Sequence, residues 1–386
     1  MAYTAAMLLL LASLTFAQDA PPLIDALPPP PPAPTCAPGQ DPTGPWPTAI
    51  IDTVAAEALN AHLFPADIDW TTKERAGVRT DGAVVIHNGT VIYEAYGPGW
   101  DADKRHLTWS ASKTVMAALT GVAVHQGALS VDDSICDHIA VTDDAACAIT
   151  VQNLLEMSSG FDWRETYEGV SPTASSVLGM LYGEGQSDMA GFVTGHPLRA
   201  APGTDWSYSS GDTNVLSAVV GSALAESNGE FYPWTALFDR LAMRPTWERD
   251  GSGTFVGSSY LWATPRDMGR FGTFLLHDGC WLGTEILPRD WVTSMSALNG
   301  VVTTAAADDD RAYGWQTWLN VPTPTATERR WPNAPSSAYA AMGHWGQSIT
   351  VLPEHNMVIV RMADDRDHSY DHGTTLALAI ALVEAP

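Results

Sequence analysis

The sequence predicts an α+β fold, in which an antiparallel sheet is flanked by N- and C-terminal helices and carries an inserted all-helical domain. Two observations support this prediction. Runs rich in β-forming residues occur at 83–97 and again at 347–365. Between them, from 113 to about 250, apolar residues recur at helical spacing and are interrupted by loops that contain Gly and Pro.

The N-terminal elements come first in this prediction. Apolar residues follow the helical period over 48–63 and predict an amphipathic helix. Two β-rich runs within 83–97 surround Asn88 and Gly89, a dipeptide that favours a tight hairpin turn. The folded region is therefore expected to open with a helix and an antiparallel hairpin.

The C-terminal elements complete the sheet. Two strand-like runs within 347–365 flank turn residues at 354–356. The segment 374–385 has the apolar composition of a closing helix. Strands from both ends of the chain are therefore expected to share one sheet.

The chain is strongly acidic. Its 386 residues include 19 Lys and Arg against 44 Asp and Glu, which gives a formal charge of −25 at pH 7. Such a charge disfavours contact with nucleic acid or an anionic membrane surface. We therefore expect neither as a partner.

The N-terminus predicts export to a secreted or periplasmic location. Residues 1–17 combine a short apolar run with a small-x-small cleavage pattern, as in a secretory signal peptide. The run is shorter than the roughly 20 residues of a membrane-spanning helix, and no cysteine follows it at a lipidation position, so no stable membrane anchor is expected. The Pro-rich segment 18–47 favours extended conformations and is predicted to be a linker.

Four cysteines suit an oxidising compartment. Cys136 and Cys147 are close in sequence and could close a small loop, which would leave Cys36 and Cys280 as a long-range pair. Four cysteines allow three connectivities, so the sequence leaves the pairing open. Their spacing matches no zinc motif.

One of only three lysines, Lys113, follows Ser110 by three residues at the start of an apolar helical segment. Residues three apart share a helix face, so the amine can reach the hydroxyl. An amine desolvated among apolar side chains has a lowered pKa and can deprotonate a serine. The alternative is that Ser110 only caps the helix and Lys113 is solvated. Ser112 points off this face and is predicted to be dispensable.

Two later motifs could complete a site around this pair. Tyr208 and Ser210 lie in a Gly/Ser/Asp loop before a helix, where the phenol could relay a proton or the segment could simply cap the helix. His344 and Gly346 lie at the start of a strand, where glycine permits close approach and histidine could donate to a substrate anion. The alternative is an ordinary loop histidine.

Taken in order, S-x-x-K at 110–113, Y-x-S at 208–210 and H-x-G at 344–346 resemble the three motifs of the serine β-lactamase and penicillin-binding superfamily. Flanking stretches over about 50–384 are similar to its class C-like branch, which includes esterases, DD-peptidases and 6-aminohexanoate-oligomer hydrolases. The resemblance implies a class C β-lactamase-like fold with the active site in a cleft between two domains. We expect the boundaries to be 48–107 with 258–386 for the α/β domain and 108–257 for the helical domain.

The resemblance also implies catalytic roles. Ser110 would be the acylated nucleophile, Lys113 its general base and Tyr208 the proton shuttle to the leaving group. The oxyanion hole would consist of the backbone N–H groups of Ser110 and Gln347.

The remaining motif positions imply substrate contacts. Ser210 stands where class C β-lactamases have Asn, and His344 replaces their Lys, which lowers the expectation of efficient β-lactam turnover. Ser at that position is similar to the oligomer-hydrolase and esterase branch, in which a loop tyrosine contacts substrate. Tyr167 is placed similarly, with a surface-packed aromatic as the alternative. Tyr167, Ser210, His344 and Gly346 are therefore predicted to bind substrate.

We therefore predict an exported serine hydrolase that cleaves a small or short-oligomer ester or amide through an acyl-enzyme on Ser110, without a metal or organic cofactor. Two alternatives are a DD-peptidase or class C-type β-lactamase, and a non-catalytic binding or sensor module that has kept the fold. Acidic groups at 308–310 and 364–372 lack the spacing of known metal motifs and are expected to be solvated loops.

Overall fold

The computed structural model describes Cys36 and residues 46–51, 53–141, 143–301, 312–367 and 369–384. These residues belong to one unit that begins at Cys36. The predicted signal peptide lies outside the described residues, and so does most of the predicted linker. The acidic run at 308–310 also lies outside them.

The described residues combine an antiparallel sheet with helices that are largely grouped between its strands, which confirms the predicted α+β fold class. The strands are β1 (Thr80–His87), β2 (Thr90–Tyr96), β3 (His106–Leu107), β4 (Thr246–Trp247), β5 (Leu261–Ala263), β6 (Cys280–Trp281), β7 (Thr284–Glu285), β8 (Trp318–Leu319), β9 (Tyr339–Gly343), β10 (Gln347–Leu352) and β11 (Met357–Ala363). The α-helices are α1 (Val54–Leu63), α2 (Ala111–His125), α3 (Val151–Leu155), α4 (Ser176–Tyr182), α5 (Met189–Thr194), α6 (Ser210–Asn228), α7 (Pro265–Leu276), α8 (Trp291–Met295) and α9 (His372–Glu384).

The main sheet has six strands in the order β2-β1-β11-β10-β9-β8, and neighbouring strands are antiparallel. The two ends of the chain meet where β1 pairs with β11, as the sequence predicted. Asn88 and Gly89 turn between β1 and β2 with φ angles of 50° and 72°, as the hairpin dipeptide predicted.

Helices cover both faces of this sheet. Val84 and Ile86 face the core shared with α7, whereas Ala83 and Val85 face the core shared with α1 and α9. This alternation follows the two-residue period of a strand. The nearly continuous apolar character of β1 therefore reflects burial on both faces.

Two details differ from the sequence predictions. The first helix begins at Val54 rather than 48, because the side chain of Thr53 caps it by accepting from the Ala56 N–H. The preceding residues instead run beside β2, where the backbone N–H of Ala49 donates to the carbonyl of Val91. Short strands such as β3 and β8 were not predicted, since two residues show no period. The division into two domains stays a prediction.

Helix α2 is buried along most of its length and positions the start of the site. Every residue from Ala111 to Ala123 is buried. The helix packs against α6 on one side and against β9 of the main sheet on another. Its N-terminus therefore lies where helical segments and the sheet meet.

Two disulfides join Cys36 to Cys280 and Cys136 to Cys147, which settles the pairing that the sequence left open. The first ties the start of the described chain to β6. Within the described ranges, every helix is too short or too polar to cross a lipid bilayer.

Because α7 packs closely on the sheet, a larger side chain at Gly272 should destabilise the folded protein. A Cβ atom there would come 2.5 Å from Val358 Cγ1 and 3.0 Å from Ile349 Cγ2. Both neighbours are β-branched and stiff, so overpacking by about 1–3 kcal/mol exceeds the gain of about 1 kcal/mol in helix propensity. We predict that Gly272→Ala lowers the free energy of unfolding in urea. The control Gly221→Ala in α6, with its closest contact at 3.3 Å, should be better tolerated, and stabilisation by Gly272→Ala would contradict this account.

Candidate active site

Ser110 lies at the N-terminus of α2, directly after a strained backbone position. Trp109 has a φ of 48°, in the left-handed region that residues other than glycine seldom adopt. The side chain of Ser110 makes no capping hydrogen bond to the helix. Instead, its Oγ accepts a hydrogen bond of 3.0 Å from Nζ of Lys113. The alternative in which Ser110 only caps the helix is therefore wrong.

Lys113 is 1% exposed, so the alternative of a solvated lysine is also wrong. Its Nζ donates to Ser210 Oγ at 2.8 Å and to the Ser258 carbonyl at 3.2 Å, in addition to Ser110. Burial lowers the pKa of the Lys113 amine to about 8, against the opposing effect of the Glu165 carboxylate. A neutral amine that can accept a proton from Ser110 is therefore available close to neutral pH.

Ser112, the nearest alternative hydroxyl, has a structural partner. Its side chain is completely buried and donates to the carbonyl of Gly257 at 2.9 Å. The Ser112 hydroxyl is therefore bonded to Gly257 and not to Lys113, as the helical spacing predicted.

Tyr208 lies over the lysine. Nζ of Lys113 is 5.0 Å from the centroid of the Tyr208 ring. The Trp318 ring stacks on the phenol ring, with centroids 5.3 Å apart and planes inclined by 25°. Tyr208 follows Ser207, whose N–H is bonded to the carbonyl of Met157, so the segment before α6 is held against the end of α3.

Glu165 is a site residue that sequence reasoning missed. It accepts hydrogen bonds from the Ser210 N–H at 2.9 Å and from the Tyr167 hydroxyl at 2.8 Å, and its Oε1 also accepts from Ser210 Oγ. The Trp163 indole donates to it at 2.6 Å. Its position two residues before Tyr167 was the only sequence signal, and nothing in the sequence placed it against Ser210.

Tyr167 and His344 form one wall of the site. Their rings stack with centroids 5.0 Å apart and planes inclined by 30°. The Tyr167 hydroxyl lies 3.3 Å from Ser210 Oγ, and His344 Nε2 lies 2.8 Å from Glu168 Oε1. A loop of the helical segment thus touches the H-x-G turn, which brings together three of the predicted substrate-binding residues.

Gly346 and Gln347 fix the turn into β10. Gly346 has a φ of 95°, and a Cβ there would come 2.3 Å from Asp365 Oδ2, so only glycine fits. The Gln347 side chain is buried and donates to the carbonyls of His344 and Ala363. The Gln347 amide side chain therefore holds the turn, while its predicted oxyanion role concerns the backbone N–H.

An open cavity of about 540 Å³ lies in front of Ser110. Five of the predicted site residues line it: Ser110, Tyr167, Tyr208, His344 and Gly346. Lys113 and Ser210 are buried behind Ser110, and Gln347 is buried at the start of β10. The cavity can therefore present a carbonyl group to a serine whose hydroxyl is already bonded to an amine.

The acidic residues that follow β11 were expected to lie in solvated loops, but Asp365 is buried and two of these carboxylates bind arginine. Asp364 forms ion pairs with Arg75 and Arg366, and Asp365 pairs with the buried Arg361. Across the described part of the chain, no three His, Cys, Asp or Glu side chains are grouped so that they could hold a metal ion.

On this fold, a serine that is hydrogen-bonded to a buried lysine and opens onto a cavity is typical of serine hydrolases that act on ester or amide bonds. A sequence profile of the β-lactamase family matches residues 69–383. The chain belongs to the β-lactamase family.

Individual relatives agree with this membership. A 6-aminohexanoate-dimer hydrolase of Paenarthrobacter ureafaciens is 26% identical over 349 residues, which cover 84% of this chain and 82% of the relative. A suggested 6-aminohexanoate-dimer hydrolase from Bacillus anthracis has a similar structure, with a TM-score of 0.65, 20% identity and coverage of 90% and 88% of the two chains. A class C β-lactamase mutant matches with a TM-score of 0.53, 14% identity and coverage of 78% and 92%.

The charge of the Glu165 carboxylate should affect the pH dependence of the reaction. With Lys113 as the proposed base for Ser110, only the neutral amine can take the hydroxyl proton, so kcat/KM should rise with pH through about 8. The Glu165 carboxylate stabilises the ammonium form and raises this pKa. Glu165→Gln should therefore move the acidic limb of the profile for an ester substrate to lower pH.

The matched control is Glu168→Gln, which removes an equal charge from the same loop. Its carboxylate pairs with His344 rather than lying among the groups that shift Lys113. In this variant, the acidic limb of the kcat/KM profile should stay at the same pH. A shift of the Glu165→Gln limb to higher pH would contradict the assigned electrostatic role.

Proposed function

We propose that this protein is an exported hydrolase that cleaves a linear amide or ester through an acyl-enzyme on Ser110. The hydrogen bond of 3.0 Å between Lys113 Nζ and Ser110 Oγ is the observation that carries this proposal. It joins a nucleophile to a base whose burial keeps its pKa near 8. The cavity in front of the hydroxyl supplies space for the substrate.

The acylation step follows from these positions. Neutral Lys113 takes the hydroxyl proton while Ser110 Oγ bonds to the substrate carbonyl carbon, and the C=O electron pair moves onto oxygen. The backbone N–H groups of Ser110 and Gln347 stabilise that oxyanion. As the bond to the leaving group breaks, Tyr208 gives its phenolic proton to the departing amine or alcohol and regains a proton from the Lys113 ammonium, which leaves Lys113 neutral.

Deacylation reverses these roles. Water adds to the acyl carbon and gives a proton to the neutral Lys113 amine. Collapse of the second tetrahedral intermediate returns a proton to Ser110 and releases the acid. The network of Lys113, Tyr208 and Ser110 ends each cycle in its starting protonation state, so no metal or organic cofactor is needed.

A linear substrate fits the residues around the cavity better than a β-lactam. Ser210 and His344 stand in place of the Asn and Lys of class C β-lactamases, and His344 is stacked on Tyr167 and paired with Glu168. The Paenarthrobacter relative is named as a hydrolase of the 6-aminohexanoate dimer, whose two units an amide bond can join. We therefore propose short linear amides as the first substrates, with esters as more reactive analogues.

Export rests on two further observations. Residues 1–17 have the pattern of a signal peptide. Two disulfides in the folded chain favour an oxidising compartment. We propose a secreted or periplasmic location.

The proposal predicts different outcomes for two neighbouring serines. Ser110→Ala removes the nucleophile and should lower turnover of a p-nitrophenyl ester by about 10³-fold or more. The matched control Ser112→Ala removes only a buried hydrogen bond to Gly257 and should retain turnover at reduced stability. A fluorophosphonate should label the Ser112→Ala variant and leave Ser110→Ala unlabelled. Full activity of Ser110→Ala would overturn the proposed function.

A further inference from the structure

The amine of Lys113 contacts as many oxygens as its ammonium form has protons. Its Nζ lies 3.0 Å from Ser110 Oγ, 2.8 Å from Ser210 Oγ and 3.2 Å from the carbonyl oxygen of Ser258. An ammonium group can donate one N–H to each of them. A neutral amine has two N–H groups and one lone pair, so one contact changes direction when the lysine loses its proton. The contact that receives the lone pair decides which hydroxyl the lysine can deprotonate.

The Ser258 carbonyl cannot receive the lone pair, because a carbonyl oxygen only accepts hydrogen bonds. It therefore keeps one N–H of the neutral amine. The lone pair is left to one of two hydroxyl groups, those of Ser110 and Ser210. Both lie at similar distances from Nζ, so distance alone does not direct the lone pair to the nucleophile.

The Glu165 carboxylate holds the proton of the Ser210 hydroxyl. This hydroxyl has one proton, and the closest acceptor that contacts it is Glu165 Oε1. The Tyr167 hydroxyl lies further away, at 3.3 Å from Ser210 Oγ. Hydrogen bonds to a carboxylate are stronger than those to a neutral acceptor, so the proton points to Glu165. Ser210 Oγ can then only accept from Lys113 and takes the second N–H of the neutral amine.

All four hydrogen-bond partners of the Glu165 carboxylate among the described residues are donors. Oε2 accepts from the Ser210 backbone N–H at 2.9 Å and from the Trp163 indole at 2.6 Å. Oε1 accepts from the Ser210 hydroxyl and from the Tyr167 hydroxyl at 2.8 Å. Burial raises the pKa of the Tyr167 phenol well above its usual range, so this hydroxyl keeps its proton. The four donors therefore hold the carboxylate in one orientation.

The Ser110 hydroxyl is left as the partner of the lone pair. Its side chain makes no capping bond to α2, and the residue lines the cavity. Its proton can therefore point to Nζ of neutral Lys113. When that proton moves to Nζ, the ammonium form again has three N–H groups for its three oxygen partners.

We propose that Glu165 is a positioning residue that sets the direction of proton transfer at Lys113. By holding the Ser210 proton, it directs the lone pair of the neutral amine to Ser110 Oγ. This inference rests on the proposed function and adds to it a role for a residue outside the three sequence motifs.

An amide at position 165 should reverse this arrangement. The Ser210 backbone N–H and the Trp163 indole can only donate, so the amide oxygen would face them. The amide NH₂ would then face the two hydroxyls and donate to Ser210 Oγ. The Ser210 proton would turn to Nζ of Lys113 and occupy the lone pair that Ser110 requires.

A double-mutant cycle tests this role in the wild type, Glu165→Gln, Ser210→Ala and the double variant. The measurement is kcat/KM for p-nitrophenyl acetate at about pH 9.5, corrected for spontaneous hydrolysis. Lys113, with a pKa of about 8, is largely neutral at this pH. Asp212, which interacts with the Glu165 charge, is ionised there, since burial raises its pKa to about 7. Differences between the variants therefore do not arise from titration of either group.

The decrease caused by Glu165→Gln should be about 10-fold larger in the wild-type background than in the Ser210→Ala background, as one misdirected hydrogen bond predicts. Loss of the Glu165 charge also makes Lys113 a weaker base, and loss of a loop contact could disturb the site. Neither effect depends on the Ser210 hydroxyl, so each would lower kcat/KM equally in both backgrounds. Equal decreases, or no decrease in either background, would overturn the proposal.

Two further substitutions complete the test. Glu184→Gln removes an equal charge from an exposed residue of the helical region and should leave kcat/KM unchanged in both backgrounds. Glu165→Ala replaces Glu165→Gln if that variant does not fold. It also frees the Ser210 proton, so the same ratio of about 10 is expected, and equal decreases would overturn the proposal there too.

Failure of this inference is separable from failure of the proposed function. Ester turnover that requires Ser110 but responds equally to Glu165→Gln in both backgrounds would reject only the positioning role. Full ester turnover by Ser110→Ala would reject the proposed function itself.

Discussion

The burial of one lysine amine is the constraint on which the site depends. Lys113 lies in the buried part of α2 and donates to Ser110, Ser210 and the Ser258 carbonyl. Burying a charged amine is unfavourable, so the surroundings shift it toward the neutral form, and only polar oxygens placed around Nζ make the arrangement tolerable. Glu165 moderates this effect by keeping a negative charge nearby. Stability and reactivity are therefore set by the same contacts.

Precise turns hold the rest of the site against this amine. Trp109 at the start of α2 and Trp345 before β10 both adopt positive φ angles, and their rings meet edge-on at 5.4 Å between centroids. Gly343 lies so close to the Thr108 carbonyl that a Cβ would come within 2.2 Å of it. The strand that leads into the H-x-G turn is thus packed directly against the segment that carries the nucleophile. Such strained positions persist only where surrounding structure fixes them.

The sequence predicted those features that depend on short spacing. Three residues between Ser110 and Lys113 sufficed to place amine and hydroxyl together, and Asn88-Gly89 sufficed for the hairpin. Contacts across long separations were not predictable: Glu165 meets Ser210 across 45 residues, and the Trp331 ring meets that of His372 from another part of the chain. Isolated charged residues carry no pattern from which such meetings follow. The start of α1 also depends on the Thr53 cap, which hydrophobic spacing does not show.

The protonation of Lys113 can be measured directly because the chain has only three lysines. Labelling lysine with ¹³C at Cε gives three NMR signals, and Lys113→Arg identifies the one that is lost. This signal should titrate at a pH of about 8 in the folded protein. Titration of the same signal in the usual lysine range near 10.4 would contradict the claim that burial prepares this amine to activate Ser110.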